Sequence, residues 1–412
     1  MSGSGTFASP WDLATALNNG MVGANDTLLL RGGTYTGNVA TNIKGKANNL
    51  VTIKPYPGEH VIISGEIMDN SSYVIWEDIE ITDTSYATRD TPNPGSVNPW
   101  GYSSGIESHA PGSKYINCVI HDIPDNGIGW MEEAIGSFCY GCLIYYNGWQ
   151  APDRGHGHGL YVQNKTDYKT ISNCVIHNNF ETGFKFYGSA EAHLNNLLVY
   201  NNTSYCNNGL YLLPGTINHS WNFMIGGYGD VHSVDIRNNT TFHIPGAGKQ
   251  KICLGINTGG HLYEVKMVDN YFVEGWGNEH NEDEGMPNGD LRGMVTFSEF
   301  SGNYVGPAVG DVVYVRPNDY KVGRANITIY NQALANTVDV DLSSVTGLSI
   351  GDHVYCHNTM DYFVDIQNLT LSASKKITVD MQAAHRTIAV PNTWTAPATT
   401  YPQFGSFIIE KV

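Results

Sequence analysis

The sequence predicts an all-β chain: a single-stranded right-handed parallel β-helix with an N-terminal capping helix and a small C-terminal antiparallel β-sandwich. Three observations lead there. Only 15% of residues are charged while Gly reaches 46 and Tyr 25, and strong helix formers dominate no long window. Short segments opening with Gly and an apolar residue recur from Gly105 onward. The recurrence stops near Pro307, where alternating strand patterns take over. The expected parts are therefore a cap over 1–25, the helix over 26–306 and an accessory domain over 307–412.

Taken in order, Ser9-Pro10-Trp11-Asp12 reads as a helix start, with Ser9 as N-cap and Pro10 as the first helical residue before LATALNN. A helix there would cover the first coil and its open strand edges. The runs DTLLLRGGTYTGN, LVTIKPYP, HVIIS and YVIWEDIEIT follow, β-branched and split by Gly, Pro and Asn, and read as strands.

The repeat then becomes explicit. Gly105, Gly127, Gly159, Gly183 and Gly209 each precede an apolar residue, at intervals of 22, 32, 24 and 26 residues. A second set, NCVIHD, GCLIYYN, NCVIHNN and NLLVYNN, starts at Asn117, Gly141, Asn173 and Asn196. Short apolar strands closed by Asn-rich turns suit one coil of a β-helix, each coil stacked about 4.8 Å from the last. Like residues then form ladders. Cys118, Cys142 and Cys174 make an inner one, Asn178 and Asn201 suit left-handed turns, and His121, Tyr145, His177 and Tyr200 form an outer ladder with a structural or secondary binding role. The seven cysteines read as small core residues, and the lone C-x-x-C at Cys139 and Cys142 lacks the second pair that zinc would need.

The formal charge of −17 argues against nucleic acid or an anionic membrane as partner. No apolar run approaches the roughly 18 residues of a membrane span. The opening MSGSG is no signal peptide and reads as a trimmed start, so secretion of a monomeric enzyme is an expectation from its chemistry alone. The acidic stretch Gly275 to Gly293, with Glu279, Glu282, Asp283, Glu284 and Asp290, offers oxygen ligands for Ca2+, though a solvated loop is the simpler reading.

Strand alternation sends the side chain two positions after each Gly outward. Glu107, Tyr161, Lys185 and Tyr211 then share one outer file with Gly129 between the first two, while Tyr187 and Gln163 lie beside it. The interval of 32 marks an enlarged coil, whose excess, NGWQAPDRGHGHG, carries Trp149, Asp153, Arg154, His156 and His158. Positive groups and Tyr hydroxyls on one face suit β-elimination from an anionic, uronic-acid-containing polysaccharide. Arg154 or Lys185 would stabilise the enolate-like intermediate; His156, His158 or a neutral Lys185 would take the proton; Tyr161 or Tyr187 would protonate the leaving oxygen.

The Gly-apolar and NCVIHD-type repeats, over roughly residues 26 to 305, resemble the pectate-lyase-like right-handed β-helix superfamily. With GGTYTGN, the pattern is most similar to the chondroitinase-B and alginate-lyase group, where the resemblance implies a Lys and an Arg about one coil apart acting with calcium held by carboxylates. Lys185 matches that lysine, whereas the next rung would carry Tyr211 and no Glu pair lies near. Two other functions fit the same scaffold. A glycoside hydrolase would use paired carboxylates, with Asp153 and Glu181 as candidates and Glu107 further off. A non-catalytic glycan-binding helix would use the outward aromatics as platforms.

Overall fold

The computed structural model describes residues 3–101, 104–210, 221–244, 251–255, 260–273, 275–277 and 295–412. Short strands and tight turns make the chain coil. From the third coil on, each passage from the first to the second strand goes through one residue in the left-handed region: Asp78, Asn117, Gly141, Asn173, Asn201, Asn238, Asp269 and Gly302, with φ between 53° and 66°. Asn, Asp and Gly are the residues that accept this angle at least cost. Successive strands therefore pair with the next coil. Among the described residues three parallel sheets result, of ten, ten and nine strands, opening with Thr27–Leu30, Gly33–Thr36 and Val39–Thr41 respectively.

The inner positions stack like on like. Ile106, Ile128, Leu160, Phe184 and Phe223, each one residue after a Gly or its equivalent, form one fully buried column. All seven cysteines are buried. Their ladder continues as asparagine: Cys174 N–H donates to Asn202 Oδ1 (2.9 Å), Asn202 to Asn239 (3.0 Å), Asn239 to Asn270 (3.0 Å) and Asn270 to Asn303 (3.1 Å). Buried amides are tolerable here because the ladder satisfies donor and acceptor together.

Two expectations shift. The cap helix is Leu13–Asn18, and its N-cap is Asp12, which accepts from Thr15 N (2.8 Å) and Thr15 Oγ1 (2.9 Å); Ser9 and Pro10 lie before it. The carboxylate meets two donors at once, one on each oxygen. NLLVYNN is not the counterpart of NCVIHNN either. Leu194–Tyr200 lies in the first sheet, paired with Lys169–Ser172, and the partner of Val175–His177 is Thr203–Tyr205. A seven-residue strand here, against four in the coil before, displaces the apparent repeat.

The outer ladder of the second sheet is accordingly His121, Tyr145, His177 and Tyr205, not Tyr200, with ring centroids 4.9, 5.0 and 4.7 Å apart. The C-terminal domain covers it. That domain is a five-stranded antiparallel sheet, Val312–Pro317, Ala325–Tyr330, Phe404–Lys411, His353–Asn358 and Ile366–Thr370 in spatial order, with a two-stranded sheet beside it. His177 Nε2 donates to Thr359 O (2.9 Å), Tyr205 Oη pairs with Thr359 Oγ1 (2.8 Å), and Phe404 stacks on Phe242 (4.4 Å). The third sheet is left with its outer face towards a cleft.

Candidate active site

Strand register on the third sheet aligns Met68, Glu107, Gly129, Tyr161, Lys185 and Met224 as one outward file. Tyr211, expected after Lys185, lies outside the described residues. Met224 holds that rung, because Gly209–Leu210 is a turn and the strand of this coil is Phe223–Gly227. The missing side chain at Gly129 has a use. A Cβ there would come within 2.2 Å of Ser104 Oγ and 2.4 Å of Glu107 Oε2, so Glu107 leans its carboxyl over that rung, held by Ser104 Oγ (2.9 Å).

The enlarged coil folds into a small antiparallel hairpin, Trp149–Gln150 against Gly155–His156. Its glycines allow close packing: a Cβ at Gly155 would sit 2.1 Å from Phe180 O, and one at Gly157 would sit 2.3 Å from Gly148 Cα. His156 stacks on Trp149 (4.9 Å) and pairs through Nε2 with Asp153 (3.3 Å). Asp153 accepts from Gly95 N, and Arg154 Nη2 donates to Ser96 Oγ (2.9 Å), so the segment around Gly95 is tied to the hairpin.

Glu181 is the hub. Its Oε2 pairs with Arg154 Nη1 (2.6 Å) and His158 Nε2 (3.4 Å), and its Oε1 lies 3.8 Å from Lys185 Nζ. His158 belongs to a backbone ladder: its N–H donates to Asn126 Oδ1 (3.1 Å), and Thr182 N–H donates to its Nδ1 (3.4 Å). That network assigns the proton to Nε2, facing Glu181. Neither ring nitrogen is then free to take a substrate proton.

Burial shapes the charges. It pushes His158 down to about 3, helped by Lys185 and Arg154 and only partly offset by Glu181. Burial alone would raise Glu181, yet the surrounding His158, Arg154 and Lys185 hold it well below the usual carboxylate range. With His158 neutral at pH 7, Arg154 and Lys185 supply that compensation. Burial raises Tyr161, reinforced by Glu181 and Glu107, so its hydroxyl keeps its proton. Burial also raises Glu107, and raises Asp125 strongly. One carboxyl pushed towards its ionised form and two pushed towards their protonated forms thus share a cavity of about 470 Å³.

Of the residues singled out in the sequence, Glu107, Trp149, Arg154, His156, His158, Tyr161, Glu181, Lys185 and Tyr187 line this cavity. Asp153 stands behind it on His156, and Gln163 approaches Tyr161 Oη (3.5 Å). Lys185 Nζ also lies over the rings of Tyr187 (5.6 Å) and Trp221 (5.7 Å). Asp125 and Tyr228 line the cavity unforeseen. Asp125 was detectable: it stands two residues before Gly127, as Glu181 stands two before Gly183. Tyr228, edge-on to Tyr187 (6.3 Å), lies in a turn outside the repeat.

Residues 67–222 match the family model described as right handed beta helix region. The coil is a right-handed β-helix. Among solved structures this β-helix chain is similar to the pectate lyase Pel9A (14% identity, 72% of this chain and 75% of that one, TM-score 0.48). It is similar to a rhamnogalacturonan lyase (16%, 67% and 72%, 0.44) and to a GH136 lacto-N-biosidase from Eubacterium ramulus (10%, 74% and 66%, 0.42). No curated protein matches the chain.

The acidic stretch named for Ca2+ lies almost wholly outside the described residues. Among the described residues, the group with three ligand atoms within 4.8 Å of one another is Cys139, Cys142 and Cys174. Buried sulfurs suit soft ions, and calcium takes oxygen. That thiol set does not suit calcium.

Proposed function

We propose that the chain is a carbohydrate-active enzyme that cleaves a uronic-acid-containing polysaccharide by β-elimination. The observation that carries this reading is Lys185: on the cavity wall beside a protonated Tyr161, it makes no hydrogen bond among the described residues and is oriented only by Glu181 and two rings. Arg154, fixed by Glu181 and Ser96, presents its charge to the uronate carboxylate and stabilises the enolate-like intermediate. Lys185 as the neutral amine takes the proton beside that carboxylate. Tyr161 donates to the leaving oxygen. Glu181 and His158 act as positioning residues, and Trp149, Tyr187 and Tyr228 offer ring faces to the sugars.

A hydrolytic reading has one observation in its favour. Asp125 and Glu181 occupy the same repeat position two coils apart, about 10 Å by rung spacing, with Gly157 between them and their proton affinities pushed apart. It ranks second because Glu181 is engaged by three neighbours and holds protons too weakly to serve as base. Incubation with a panel of uronans separates the two. Elimination yields an unsaturated product absorbing near the ultraviolet edge. Hydrolysis yields reducing ends without that absorbance, with a rate that falls as Asp125 and Glu107 ionise.

A further inference from the structure

We infer that the C-terminal domain completes the active site, with Trp394 as a positioning residue that holds Phe180 and, through it, the adjoining Glu181 and the hairpin of the enlarged coil. The inference rests on the elimination reading above, since Glu181 orients both Arg154 and Lys185. What carries it is the burial of Phe180. That residue lies in the turn between Val175–His177 and Phe184–Gly188 and is fully buried without joining the interior of the coil. It packs instead in the apolar cluster that the C-terminal domain forms against the helix. The half-buried Trp394 stands edge-on to its ring (5.1 Å), and the Arg89 guanidinium lies 5.1 Å from the same ring.

Both sides of this contact are fixed. On the domain side, Asn392 N–H donates to Asp122 Oδ1 (2.7 Å), Trp394 N–H closes the turn onto Pro391 O (3.1 Å), and Trp394 Nε1 donates to Leu210 O (2.9 Å). The oxygen that takes Asn392 also takes Arg89 Nη2 (3.1 Å), and Arg89 O accepts from Gln150 N (2.8 Å) in the hairpin. One carboxylate therefore secures both the Trp394 turn and the guanidinium on the Phe180 ring. On the site side, Phe180 N–H donates to Asn147 O (2.9 Å) and Glu181 N–H to Gly157 O (3.0 Å). A Cβ at Gly155 would sit 2.1 Å from Phe180 O, and one at Gly148 would sit 2.8 Å from Phe180 Cβ, so the hairpin lies directly on this turn. Close-packed interiors pass displacement on instead of absorbing it. Loss of the Trp394 ring lets Phe180 shift, and with it move Glu181, which follows in the chain, and Arg154, which rides on the hairpin. A misplacement of about 1 Å at a reacting group can cost about 100-fold in rate.

The test compares Trp394→Ala and Trp394→Phe in the whole chain with His177→Ala, a control on the same docking seam, each at a temperature where calorimetry shows it folded. Trp394→Leu takes the place of the alanine variant if that one does not fold. Turnover on a panel of uronans and amide hydrogen exchange are both followed. Trp394→Ala is expected to lower kcat about 10- to 100-fold with KM little changed, and to speed exchange at Phe180, Glu181 and the hairpin amides. Trp394→Phe recovers most of both, and His177→Ala, though less stable, moves neither. Full turnover or unchanged exchange in Trp394→Ala, or the same two losses in His177→Ala, overturns the inference. The elimination reading fails separately. Reducing ends without unsaturated product, lost in Trp394→Ala, remove elimination and keep the positioning role, whereas unsaturated product formed equally by wild type and Trp394→Ala does the reverse. If no polymer is cleaved, elimination falls and the exchange comparison by itself decides whether Trp394 holds the turn.

Discussion

The same coil builds two outward ladders, and they meet opposite fates. On the second sheet, His121, Tyr145, His177 and Tyr205 stack ring on ring and are sealed under the C-terminal domain. On the third sheet, Glu107, Gly129, Tyr161 and Lys185 follow the same rung spacing but face a cavity beneath the hairpin of the enlarged coil. Regularity in a repeat therefore does not mark a site. What covers the ladder decides its role, and here one ladder is a docking seam while the other faces the cavity for which we propose chemistry.

The sharpest way to break this comparison is to truncate one residue in each ladder. Lys185→Ala should lower turnover about 10²- to 10⁴-fold and leave thermal unfolding nearly unchanged, read by product absorbance and calorimetry. Glu181→Gln comes next. Removing the anion between Arg154 and Lys185 leaves partly buried cations without compensation, and a loss of about 3 kcal/mol in denaturant unfolding is expected together with most of the activity.

His177→Ala should do the opposite of Lys185→Ala. It loses the hydrogen bond to Thr359 and three ring contacts, for about 2 to 4 kcal/mol of stability, with kcat/KM unchanged. The covered ladder also predicts a two-sided pH response. Burial opposes charge on His121, but Asp122 and Glu80 push it up to about 9; burial pushes His177 down to about 4. A raised group stabilises fully below its unfolded value and loses that contribution as pH climbs through its folded one, so His121 weakens the fold between about 6.5 and 9. A depressed His has the reverse effect, so His177 weakens it as pH falls from about 6.5 through 4. Melting temperature followed across pH should fall on both sides, and His121→Asn should remove the alkaline limb. The smallest effect expected is from Gly129→Ala, whose methyl would displace the Glu107 carboxyl, for about 1 to 2 kcal/mol in denaturant unfolding.

Much of this architecture could be read from residue spacing. Gly105, Gly127, Gly159 and Gly183 mark strand entry because each packs where a Cβ would collide, and counting two onward reaches Glu107, Gly129, Tyr161 and Lys185. The count fails at Tyr200, since NLLVYNN imitates the repeat while a longer strand has shifted it, and at Gly209, which lies in a turn. The hub role of Glu181 was invisible because it depends on Arg154 and His158 arriving from an inserted hairpin, and no repeat encodes that meeting. Asp125 was missed although it shares the column of Glu181, because attention to outward files passes over turn residues.

The claim that the open ladder is a β-eliminating site meets its most direct test in one assay. Wild type and Lys185→Ala are incubated with a panel of uronic-acid polysaccharides while absorbance near the ultraviolet edge is followed. The account predicts unsaturated product from the wild type on at least one polymer and none above background from the variant, both proteins being equally folded. Undiminished product formation by Lys185→Ala, or cleavage by the wild type without that absorbance, would contradict it.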